Sequence, residues 1–88
     1  MSATDEIRIT LQQQDGFAFR ISFEDSALAP LLTDESPPLG NDRGPNPSRL
    51  LLAGVANCLG ASLVFALRKF KNQPGPLRAR ISARPERN

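Results

Sequence analysis

Cys58 is the one cysteine among 88 residues, and the chain holds no histidine, tryptophan or tyrosine. A thiol attacks only as its thiolate, so a reactive cysteine needs a nearby cation or helix N-terminus, together with access for a substrate. Cys58 lies within GPNPSRLLLAGVANCLGASLVFALRKFK, residues 44 to 71, which reads as one long apolar helix. It falls about three turns in, where the N-terminal dipole has faded. Activation must therefore come from a cation that the fold brings in. Arg43, in the preceding loop, is the first candidate, and Arg20, in an earlier strand, is the second. Arg49 stands nine residues before Cys58 and projects to the opposite side of the helix. The competing reading of Cys58 is a small buried hydrophobe with no chemistry of its own.

Other chemistries find little support. With no histidine and a single thiol the chain offers no zinc ligand set. The loop SPPLGNDRGPNPS lacks the lysine and the spacing of a phosphate-cradling loop. No cofactor is called for. Asn46, Pro47 and Ser48 stand at the helix entrance and are the candidate substrate contacts, although starting the helix is the simpler role for each. Asn57, beside the thiol, needs a hydrogen-bond partner if buried, at a cost of about 1–3 kcal/mol otherwise. An inter-helix contact is its expected use.

The net charge is +2, unevenly placed. Seven of the nine acids lie in residues 1 to 36, and seven of the eleven bases in residues 68 to 88. The basic stretch alternates with apolar residues and has no aromatic interleaving, so an exposed strand face is expected rather than a nucleic-acid surface. One cysteine allows no internal disulfide, and the N-terminus has no apolar secretory core, which points to a reducing, cytoplasmic setting. The run from Leu50 to Leu67 approaches membrane-spanning length, but it carries Asn57, Cys58, Ser62 and two glycines. A buried core helix is expected, with no membrane partner.

The elements that must position these residues follow from periodicity. Ile7, Ile9 and Leu11 alternate with polar residues, Asp15-Gly16 marks a tight turn, and Phe17, Phe19, Ile21 and Phe23 alternate again. This predicts an antiparallel hairpin with one buried face. A short third strand is expected around residues 31 to 34, followed by a proline- and glycine-rich loop. Asn46 caps the helix, Pro47 opens it, and Asn72, Pro74 and Gly75 end it after the basic last turn. The helix is apolar nearly all round, with Gly54 and Gly60 marking places where another backbone comes close. One hairpin cannot cover it, so a second subunit or further sequence must. After Gly75, Leu77, Ala79, Ile81 and Ala83 alternate with Arg78, Arg80, Ser82 and Arg84, which predicts a last strand with no final element to pair it. The 88 residues thus read as one α+β domain, and as the first part of a longer one.

The pattern NPxxLLLAGxAxC, carried by Gly44, Pro45, Asn46, Pro47, Leu50, Leu51, Ala53, Gly54, Ala56 and Cys58, resembles the OsmC/Ohr family of thiol-dependent hydroperoxide reductases. The order of elements agrees along the whole chain, and the residue match is specific in positions 44 to 60. The resemblance implies an OsmC-like α+β fold: an antiparallel sheet packed on a long central helix, in an intertwined homodimer. It implies a peroxiredoxin-like role in oxidative stress, with Cys58 as nucleophile toward organic or inorganic hydroperoxides and a thiol as reductant. In the family, a glutamate just after the N-P pair and an arginine from the hairpin polarise the site, and a second cysteine in a later helix resolves the sulfenic acid. Here Ser48 stands at the glutamate position, the Asp15-Gly16 turn has no arginine, and a resolving cysteine would fall beyond Asn88. Those departures leave a second expectation beside the first: a non-catalytic OsmC-like protein that binds a small hydrophobic ligand at the dimer interface.

Overall fold

The computed structural model describes residues 6–71 and 75–84. The chain divides into two compact units, with the boundary between Pro47 and Ser48.

The first unit is a three-stranded antiparallel sheet in the order β1-β2-β3, with β1 Ile9–Asp15, β2 Ala18–Phe23 and β3 Leu31–Thr33. The β1–β2 register runs from Ile9 opposite Phe23 to Asp15 opposite Ala18, with an irregularity between Gln13 and Asp15. That last pair leaves Gly16 and Phe17 as the turn. Gly16 has φ +56°, a left-handed conformation that costs glycine nothing. The Gln13 side-chain amide donates to the Gly16 carbonyl at 2.8 Å and pins the turn. The hairpin and the short third strand stand as the alternation predicts. Phe17, expected on the buried face of β2, instead sits in the turn and is exposed. The residue buried at that end is Ala18.

Phe19, Ile21 and Phe23 are only half-buried, and on β1 Ile9 and Leu11 lie more than half exposed. The expected buried face of the hairpin is therefore incomplete within this chain. Three strands with so short a third member supply little cover of their own. Charged groups close the open end of the hairpin. Arg8 pairs with Glu6 at 2.7 Å and with Asp25 at 3.2 Å, and the Thr10 hydroxyl donates to Glu24 at 2.7 Å.

The second unit is built on α1, Pro47–Lys69, a helix of 23 residues. It begins at the proline that the sequence marks as its first residue. It ends on Arg68 and Lys69, which complement the negative pole of the helix dipole. Lys71 follows with φ 61°, its N–H donating to the Arg68 carbonyl at 3.0 Å. Asn72 and Pro74, expected to stop the helix, lie outside the described residues.

No residue of α1 is buried within the chain. Leu52, Ala56, Gly60, Val64 and Leu67, spaced by fours and a three, are half-covered on one face. Leu77 lies on that face, 3.7 Å from where a Cβ on Gly60 would stand. At Gly54 nothing among the described residues lies within 4 Å of where a Cβ would stand, so none of them makes the close backbone approach expected there. Asn57 is exposed and carries no burial cost. The most apolar stretch of α1 has a mean hydropathy of 2.1, so by length and composition the helix could cross a membrane. A helix sealed inside an oligomer has the same length and composition.

The last strand expected from the sequence is not formed. Residues 76–84 carry no regular structure. Alternation makes a segment able to join a sheet, but a strand exists only with a neighbour to share its backbone hydrogen bonds, and these residues have none among the described residues.

Candidate functional site

The loop after β3 is organised around one carboxylate. Asp34 is 3% exposed, and both of its oxygens accept backbone N–H groups. Oδ1 takes the Glu35 N–H at 2.8 Å, and Oδ2 takes those of Asn41 at 3.1 Å and Arg43 at 3.3 Å. The Arg43 Nε stands 3.8 Å from the same Oδ2. Burial alone would push this carboxyl up. The three N–H donors and the Arg43 charge outweigh it and hold Asp34 below its ordinary value.

Backbone bonds tie the rest of the loop. The Asp34 N–H donates to the Pro45 carbonyl at 3.3 Å, Asp42 to Glu35 at 3.1 Å, and Gly40 to Ser36 at 3.1 Å. Asp42 adopts φ 55°, which aspartate tolerates better than most residues. Gly40 is buried, and a Cβ there would run into the Asp34 carboxylate and the Glu35 carbonyl. At Gly44 a Cβ would fall on the Leu32 carbonyl. The two glycines are thus required by close approach, which is why the loop sequence carries them.

The structure places the six site residues of the sequence reading as follows. Arg43 is held at the Asp34 carboxylate, with its guanidinium still partly in solvent. Arg20 lies on β2, opposite Gln12 on one side and Leu32 on the other, and is exposed. Asn46 is half-buried at the helix entrance, and Pro47 and Ser48 are exposed in its first turn. That turn carries no acid. Cys58, the twelfth residue of α1, is an exposed free thiol rather than a core hydrophobe within this chain. It shares a face with Leu51, Val55, Ser62 and Phe65, at successive spacings of four and three. Leu51 and Phe65 are 73% and 72% exposed. An unprotected thiol set in an uncovered apolar seam is accessible to an apolar reagent.

Asp34 is the residue that the sequence reading passed over. The only signal was its type: an aspartate can accept backbone N–H groups of a turn that follows it, and Asp42 in the same loop shares that signal. No cluster that could hold a metal ion occurs among the described residues. Two open hollows, one at Arg78 to Ile81 and one of about 460 Å³ between Glu6, Phe23 and Leu28, contain none of the six site residues. Compared with protein-family models, curated proteins and solved structures, the chain matches none.

Proposed function

We propose that the chain is an OsmC-like, cytoplasmic, thiol-dependent hydroperoxide reductase that works as a homodimer, with Cys58 as its nucleophile. The single observation that carries this reading is the exposed thiol at the middle of an apolar helix that opens on Asn46-Pro47. The Cys58 thiolate attacks the distal oxygen of a hydroperoxide. An S–O bond forms, the O–O bond breaks, and the alcohol leaves with a proton. The sulfur is oxidised to sulfenic acid as the peroxide is reduced. One thiol then condenses with the sulfenic acid, releasing water, and a second thiol releases the resulting disulfide. The chain has only one cysteine, so both thiols come from outside these 88 residues. An arginine, Arg43 before Arg20, favours the thiolate and the departing alkoxide.

Leu59 and Leu63 support the dimer: both are exposed in one chain, they stand on a different strip of α1 from the Cys58 seam, and a second copy would bury them. A second reading is favoured by Ser48, which puts a neutral hydroxyl in a first turn that holds no acid. On that reading the same seam lines an apolar ligand site and Cys58 is bystander to it.

Turnover separates the two. The chain is mixed with cumene hydroperoxide and a dithiol, and peroxide loss is followed with Cys58→Ser alongside. Catalytic loss that depends on Cys58 supports the reductase. Equal, slow loss with both chains contradicts it and leaves the ligand-binding reading.

A further inference from the structure

We propose that the free edge of β1 pairs antiparallel with the same edge of a second copy, about a two-fold axis at Thr10, joining the two three-stranded sheets into one. The two edges of the sheet are unlike. β3 has only three residues, and the loop closes over it: the Asp34 N–H donates to the Pro45 carbonyl, and a Cβ on Gly44 would fall on the Leu32 carbonyl. β1 has seven residues, all exposed, and no strand among the described residues lies on its outer side. Sheet edges are ordinarily blunted by lysine, proline or a bulge. Residues 9 to 13 of β1, ITLQQ, hold no charge and no proline, and the irregularity of the ladder comes only after Gln13.

The β1–β2 ladder fixes which groups are free. The Glu24 N–H donates to the Arg8 carbonyl at 3.1 Å, so the main chain of Arg8 faces β2. That direction alternates along an antiparallel strand. Thr10 and Gln12 therefore also face β2, while Ile9, Leu11 and Gln13 turn their N–H and C=O groups outward. A second copy meets those groups in a self-complementary register. With Thr10 opposite Thr10, Ile9 falls opposite Leu11, Arg8 opposite Gln12 and Ile7 opposite Gln13, on each side of the axis. Apolar meets apolar at the centre, and no charge meets its like. Ile9 and Leu11, 55% and 58% exposed in one chain, gain cover. The pairing ends at Gln13, where the irregularity begins. An axis at Leu11 would set Ile9 against Gln13, and an axis at Ile9 would bring the two Arg8 side chains to diagonal positions. The contact lies wholly within the first unit and uses neither α1 nor Cys58.

The test is cross-linking of the full chain. Across the axis the two Thr10 residues form a non-hydrogen-bonded pair, with Cα atoms about 4.5 Å apart, within the reach of a disulfide. The two copies of Gln12 stand four positions out of register, about 13 Å apart along the strands. Thr10→Cys and Gln12→Cys are each placed in a Cys58→Ser background and held at micromolar concentration in a glutathione redox buffer. Thr10→Cys is expected to link into a dimer roughly a hundredfold faster than Gln12→Cys, because pairing replaces a micromolar collision with a millimolar effective concentration. Equal rates overturn the proposal, as does a Thr10→Cys chain that does not link, which leaves the edge to a different strand or to solvent. A mixture of the two variants that links faster than Thr10→Cys alone marks an axis at Leu11 and overturns it as well. Should Thr10→Cys not fold, amide hydrogen exchange of the wild-type chain decides. Slow exchange at Ile9 and Leu11 that is lost on dilution supports the pairing. Fast exchange at those two, beside protected amides at Thr10 and Gln12, overturns it.

Discussion

Replacing Gly44 with alanine tests how tightly the loop closes on the sheet. A Cβ at residue 44 falls on the Leu32 carbonyl group and stands 3.2 Å from the Thr33 Cα. These are backbone atoms of β3 and cannot swing aside as a side-chain tip would. Overpacking of this kind costs about 1–3 kcal/mol. Relief by moving the loop outward stretches the bond from the Asp34 N–H to the Pro45 carbonyl, already 3.3 Å long, which costs about 1 kcal/mol more. The stiffer unfolded chain offsets about 0.4–1 kcal/mol of this. The net loss is about 1–3.5 kcal/mol, or roughly five- to a few hundredfold in the unfolding equilibrium. Gly16→Ala is the control, since it has open space around its Cβ and is penalised only through its φ of +56°. Urea unfolding followed by circular dichroism reads both, as midpoints at unchanged slope. Gly44→Ala unfolding at the wild-type midpoint would refute the close approach.

Other predictions follow from the same geometry. The folded chain holds the Asp34 carboxyl lower than the unfolded chain does, so its contribution to stability is complete above the ordinary carboxylate value of about 4 and fades as pH falls below it. Acid titration of wild type against Asp34→Asn therefore shows a stability gap at neutral pH that closes in acid; a gap that widens on acidification contradicts this sign. Gly54→Ala raises helix propensity by about 1 kcal/mol in a lone chain, where nothing lies within 4 Å of the new methyl. If a second copy packs on α1 there, the same variant weakens the dimer in sedimentation equilibrium. An unchanged dimer argues against close packing at residue 54, and a folded wild-type monomer at micromolar concentration argues against the dimer itself. Flotation with anionic liposomes addresses the hydropathy of α1: the chain is expected to stay in the aqueous fraction, and recovery with the vesicles would replace the dimer core with a bilayer.

Local elements were legible because local rules decide them. Asp15-Gly16 announced the hairpin, and Asn46-Pro47 announced the start of α1, each within a residue of where it stands. Cover was harder to read. The alternation of Phe17 to Phe23 marks residues able to be buried, but burial depends on what lies over them, and here they are half-buried at best. The same limit applies to Leu77 to Ala83, whose pattern suits a strand that has no neighbour among the described residues. Of the site, Cys58 and Arg43 could be named from type and position. Asp34 could not be told from other loop acids, because its importance lies in three N–H groups that converge only once the loop has closed.

The central claim is that Cys58 is a reagent, and one measurement meets it directly. The folded chain is given one equivalent of cumene hydroperoxide, trapped with a sulfenic-acid probe and weighed by mass spectrometry, with Cys58→Ser in parallel. The account predicts rapid, stoichiometric trapping on Cys58 and none on the variant. A folded chain whose Cys58 thiol remains unmodified would contradict it.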